Sequence, residues 1–149
     1  MRNSMTLRAS VIFLASIYFV ATSNADPVKF TAGNWEATVT MSLAEGGEAI
    51  VTDEFSGCMS EAETRNSPSE LAAAFAGGAE CVQSNVQSVG NTITFDMVCA
   101  KGTLQSASYT MERQSDYFLM AGPQKIRLKN GALKDIWGTI SARRTGACS

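Results

Sequence analysis

The chain contains no histidine. That removes the commonest general base near neutral pH and the commonest nitrogen ligand for zinc. The four cysteines include no Cys-x-x-Cys pair, which argues against a zinc site and against a thiol-oxidoreductase centre. No Gly-x-Ser-x-Gly elbow, phosphate-cradling glycine loop, internal repeat or low-complexity tract occurs. The uncharged run at 11–21 is about half of the ~20 residues that a helix needs to cross a bilayer.

What is present begins with an export pattern. Arg2 and Arg8 precede the apolar run, and Thr22-Ser23-Asn24-Ala25 follows it, with small residues at Ser23 and Ala25 that suit signal peptidase. Residues 1–25 are expected to be a signal peptide and 26–149 a single β-rich, disulfide-bonded domain. No cysteine lies near the cleavage site, so no lipid anchor is expected, and no transmembrane span remains after cleavage. The expected location is the periplasm, with secretion as the alternative.

After cleavage, residues 26–100 carry eleven acids against Lys29 and Arg65, and residues 101–149 carry three acids against eight bases. The two halves thus hold −9 and +5. Strands from the two halves can interleave and neutralise each other, or the asymmetry can orient a charged partner. Cys58, Cys81, Cys99 and Cys148 all follow the signal, and an even count in a small exported domain reads as two disulfides.

From 34 to 43, Trp35, Ala37, Val39, Met41 and Leu43 alternate with polar residues, the mark of a half-buried strand. A second strand spans 49–56. Ser60 with Glu63, and Ser67 with Glu70, have the spacing of helix capping boxes, Pro68 suits a first helical position and Gly77-Gly78 can end a helix. One short helix is expected at 68–76. Six more strands follow, at 82–88, 92–99, 104–113, 116–121, 124–129 and 133–143, divided by Gly90-Asn91, Lys101-Gly102, Gly122-Pro123 and Asn130-Gly131. The fold class is mainly β: an antiparallel meander of about eight strands curled into a barrel or half-barrel, with one short helix between strands 2 and 3 and two disulfides. A flat sheet with the helix on one face is the alternative.

A hairpin centred on Gly90 sets Cys81 opposite Cys99. Matching Val82 and Val86 to the apolar face of Ile93, Phe95 and Met97 instead requires a register slipped by one, unless a bulge intervenes. The pairing favoured is Cys81 with Cys99 and Cys58 with Cys148, the other connectivities remaining open.

Gly33-Asn34-Trp35-Glu36, Cys58-Met59-Ser60-Glu61, Cys81 and Cys99 about Val89-Gly90-Asn91, and Gly146-Ala147-Cys148 occur in an order that resembles the bacterial domain-of-unknown-function family 3617. The resemblance covers roughly residues 33–148. The chain departs from the family pattern at Asn34, where an apolar residue is usual, and at Glu61-Ala62, where a Pro-Glu pair is usual. The resemblance implies export in a Gram-negative bacterium and a β-rich disulfide-bonded domain. It implies no activity and transfers no catalytic residues.

The residues themselves point the same way. Asp53 and Glu54 are adjacent and would face opposite sides of a strand, while Glu36 and Asp96 stand alone, so no carboxylate pair is set to act on one bond. No catalytic residue, metal site or cofactor is assigned, and an enzyme is not expected. Lys125, Arg127 and Lys129 alternate on one expected strand with Lys134 beyond the turn. This densest basic patch is either a solvated face that guards an edge or a contact for anionic headgroups or an acidic partner. Nucleic acid is not an expected partner, because the domain is acidic overall and this patch lacks aromatic residues. Met41, Met59, Met97, Met111 and Met120 read as core filling rather than soft-metal ligands, and Trp35 and Trp137 as core anchors, one of which could line a cavity mouth. The function expected is that of a non-enzymatic periplasmic small-ligand-binding or accessory module, the curled sheet offering an interior for a small apolar ligand. The alternative is an envelope structural or interaction protein that docks a charged partner. Mass spectrometry of exported protein should find Asp26 at the N-terminus, and a mature chain that retains residues 1–25 would refute the cleavage assignment.

Overall fold

In a computed structural model, residues 29–148 are described, apart from 66 and 77. The expected signal peptide lies outside the described residues. Seven strands form one antiparallel sheet: β1 (Gly33–Ser42), β2 (Ala49–Met59), β3 (Gly78–Val89), β4 (Thr92–Gly102), β5 (Leu104–Gln114), β6 (Tyr117–Arg127) and β7 (Leu133–Gly146). A 3-10 turn at Glu63–Arg65 and helix α1 (Pro68–Ala76) connect β2 to β3. The strand order is β2-β1-β7-β6-β5-β4-β3, so β2 and β3 are edges and the sheet is not closed. This corrects the closed-barrel alternative. No helix among the described residues is long and apolar enough to cross a membrane.

Sequence patterning accounts for most of these elements. On β1, Trp35, Ala37 and Val39 are buried while Glu36 is exposed. Both capping boxes form: the Ser67 N–H donates to Glu70 Oε2 at 2.6 Å, the Ser60 N–H donates to Glu63 Oε2 at 2.7 Å, and each serine hydroxyl accepts in return. α1 docks its N-terminus on β3, where the Ser69 N–H donates to Gln83 Oε1 at 3.1 Å, and it buries Leu71 and Ala72.

The inward rows of five adjacent strands, β1, β7, β6, β5 and β4, are nearly inaccessible to solvent. A nine-residue helix is only ~14 Å long, whereas five strands span ~19 Å across and more than ~30 Å along. One such helix cannot cover that face. Among the described residues, curling of the sheet is what remains to bury that face. Tyr109, Phe118, Met97, Leu104, Met111, Met120, Ile140 and Val39 fill the interior with less than 2% of each exposed. The interior expected to hold a small apolar ligand is thus occupied by side chains. Phe30 packs at one end on Trp35 and Phe118, with ring centroids 5.6 and 5.5 Å away, while the Thr31 N–H donates to Ser115 O.

Several local expectations change. The strands expected at 116–121 and 124–129 are one strand, β6, so the count is seven rather than eight. Its ladder with β7 runs unbroken through Gly122↔Gly138 and Pro123↔Trp137, whereas pairing with β5 lapses between Ala121 and Gln124. Proline lacks an N–H and forfeits a ladder bond on one side only. A Cβ on Gly122 would collide with the Ser108 carbonyl, so glycine admits this close approach. Leu43 lies beyond the end of β1, after a register shift at Met41/Ser42, and is exposed. Trp137 faces outward beside Pro123, half-buried, and only Trp35 is a core anchor.

Cys58 is bonded to Cys148, and Cys81 to Cys99 directly opposite it on β4. The β3 bulge falls between Ser84 and Gln87, after the cysteines, so Val82 is turned outward against Val98 and both are exposed. Replacing Cys58 and Cys148 by serine should lower unfolding stability by roughly 4.5 kcal/mol, and replacing Cys81 and Cys99 by roughly 3 kcal/mol, since the longer loop restricts the unfolded chain more. Denaturant melts of the two double variants measure this. The reverse order would contradict it.

Candidate functional site

The basic residues singled out by sequence do not converge. Lys125 and Arg127 share the outer face of β6, where Lys125 meets Asp135 at 2.7 Å and Arg127 donates to Gln105 Oε1 at 2.9 Å. Lys134 pairs with Ile126 and so faces the other side, and Lys129 lies in the turn between the strands. Of the four, Lys125 and Arg127 thus share one face and have neighbouring partners, Lys134 lies on the opposite face, and Lys129 lies off the strands in the turn. Alternation along one strand was legible; the hairpin register that flips Lys134 was not.

Charge is instead arranged by strand. The central strands β5, β6 and β7 come from the basic half of the chain, while β1 and β2 at one edge and β3 and most of β4 at the other come from the acidic half. The hairpin loop and edge strand formed by 43–59 carry Glu45, Glu48, Asp53 and Glu54 and no base. Residues Ala49 to Cys58 of β2 are exposed on both faces. Among the described residues it pairs only with β1. Ile50 and Val51 stand out in solvent beside the acids, without the lysines or prolines that usually guard a free edge.

The outer face is rich in hydroxyls. One cross-strand row runs Gln87, Thr94, Thr110, Ala121, Thr139, Thr40, Thr52 across all seven strands. At its β3 end a cleft of about 370 Å³ is lined by Asn85, Gln87, Asp96, Ser108, Thr110 and Pro123, among others. The bulge places Asn85 at φ 52°, a conformation that asparagine tolerates, and its amide donates to Asp96 Oδ2 at 2.7 Å. The Ser108 hydroxyl donates to Asp96 Oδ1 at 2.6 Å. The Asn85 bond first and the Ser108 bond second hold the Asp96 carboxyl below its ordinary value. This cluster was missed in the sequence because its three members lie on three strands.

Inside, the Gln124 amide lies over Gly138 and donates to the Tyr109 hydroxyl at 2.7 Å. Burial pushes the Tyr109 phenol far above its ordinary range, so it stays neutral. Among the described residues no group of three or more acids or cysteines is placed to hold a metal ion.

The family model described as "Protein of unknown function (DUF3617)" matches residues 30–148. No curated protein and no solved structure matches.

Because the folded Asp96 is depressed, the stability contributed by its two hydrogen bonds is present above the ordinary aspartate range and fades as pH falls through the folded value. NMR titration should place the Asp96 midpoint below that of a free peptide, and Asn85→Ala should move it up. An ordinary midpoint in both proteins would discard the hydrogen-bond account.

Proposed function

The chain belongs to this family of proteins of unknown function, and from that premise we propose that it is an exported, non-enzymatic accessory protein of the bacterial envelope, periplasmic after signal removal, that docks a basic, extended segment of a partner protein along β2. The observation that carries this reading is the β2 edge: an eleven-residue strand paired with β1 alone among the described residues, with Asp53 and Glu54 in it, Glu45 and Glu48 in the loop before it, and no base. An edge strand of this kind supplies backbone donors and acceptors for an added strand, and its side chains select the partner. A second copy is a poor occupant, because β2 against β2 sets acid against acid. Docking is preferred to an enclosed apolar ligand because the described interior is filled. Its non-enzymatic character is inferred from the missing histidine and from carboxylates that stand singly. Export is inferred from the leader pattern together with four paired cysteines.

The test uses two synthetic peptides, alternating valine with lysine or valine with glutamate. The lysine peptide should protect β2 amides from hydrogen exchange and bind at least about fivefold more weakly in high salt than in low salt. Asp53→Lys/Glu54→Lys should abolish that binding without changing the fold. Equal behaviour of the two peptides, or protection on β3 instead of β2, would reject the reading.

A further inference from the structure

Arg113 lies on the inward row of β5, two residues after Met111 and opposite Phe118. It is only 8% exposed. The other described arginines are differently placed: Arg127 meets Gln105, Arg144 donates to Ala32 O, Arg143 lies over the Tyr117 ring at 5.8 Å, and Arg65 is exposed. Arg113 has no acid or carbonyl partner for its side chain among the described residues, and its Nε is buried without an acceptor. A buried N–H with no acceptor is costly, and a bound anion is one way to satisfy it.

Its surroundings select the kind of anion. Arg113 lines a cleft of about 120 Å³ at the end of the sheet where β5 turns into β6, together with Asn91, Thr92, Glu112, Gln114 and Tyr117. Two amides and two hydroxyls there supply donors for a small oxyanion. The Glu112 carboxylate on the outward row is the one negative group of the cleft, and it disfavours a dianion such as phosphate more than a monoanion. Behind Arg113 the space is taken by Met111, Phe118 and Phe30, so an alkyl chain cannot run inward. The ligand must present its charged end and leave its body outside.

We infer that Arg113 anchors a binding site for a monoanionic carboxylate, the acid end of a small molecule or the C-terminus of a peptide, independent of the β2 edge. A planar carboxylate matches the guanidinium fork in two parallel hydrogen bonds, which a lysine cannot reproduce.

The probes are propionate, N-acetyl-alanyl-alanine, the amide of that dipeptide, and inorganic phosphate, added at constant ionic strength while the Arg113 Nε–H resonance is followed by NMR. A saturable shift with propionate or with the dipeptide acid, but not with the amide, is expected. Preference between those two acids separates a small-molecule source from a peptide end. Phosphate should bind about tenfold more weakly, and Glu112→Gln should narrow that gap. Arg113→Lys, followed by the backbone amides of Thr92 and Gln114 that line the cleft, should weaken the carboxylates about tenfold while leaving the spectrum of the free protein otherwise unchanged. The inference is overturned if no carboxylate shifts Arg113 at millimolar concentration, if the amide does as well as the acid, or if phosphate keeps its disadvantage in Glu112→Gln. The Glu112→Gln arm decides the matter on its own should Arg113→Lys fail to fold.

Discussion

The architecture follows from one imbalance among the described residues: seven strands must hide an apolar face, and a single nine-residue helix packs against the sheet. Curling the sheet is the remaining way to remove that face from water. Its consequences reach the ends of the chain. The segment around Phe30 closes one mouth through its contacts with Trp35 and Phe118, and α1 shields the β3 side through Gln83. Because the curl stops short of closure, β2 and β3 are the outermost strands of the sheet.

The scattered landmarks of the sequence meet at one corner. Gly33 sits at φ 147° where a Cβ would strike the Gly146 carbonyl, Asn34 donates to Ala147 O at 3.0 Å, and Arg144 Nε donates to Ala32 O at 2.8 Å. Asn34 pairs across β1 with Cys58 on one side and Gly146 on the other, and the Cys58–Cys148 bond closes the group. The asparagine that departs from the family pattern therefore has a local use, holding the C-terminal segment over β1. Disulfide and hydrogen bonds here do what a larger hydrophobic core would do in a longer chain.

The same fold decides where chemistry is left over. Interior polar groups mostly find each other, as Gln124 and Tyr109 do, and the outward Asp96 is satisfied by Asn85 and Ser108. Arg113 Nε, Gln124 Oε1 and the β2 backbone edge are exceptions among the described residues, and of these Arg113 carries a charge and β2 a row of peptide groups. None is a set of catalytic side chains, which is why recognition rather than turnover is the function proposed.

Patterns carried by neighbouring residues were readable without coordinates. Alternation around Trp35 located β1, Ser-x-x-Glu spacing located α1 and the turn before it, and Gly90-Asn91 located the β3–β4 hairpin, although the bulge between Ser84 and Gln87 is what sets Cys81 against Cys99. Features that depend on which strands become neighbours were not. Gly122-Pro123 reads as a turn locally, yet β7 pairs through it; Val82 reads as core, yet the disulfide register turns it outward; Lys134 reads as part of a basic stripe, yet its partner Ile126 puts it on the other face. Sequence alone determined the periodicity of each segment, the cysteine inventory and the missing histidine, because these are properties of residues and their nearest neighbours. Only the tertiary structure decided the strand count, the open edges and the solitary Arg113, because a pleated strand changes the meaning of every side chain with a one-residue shift in its pairing.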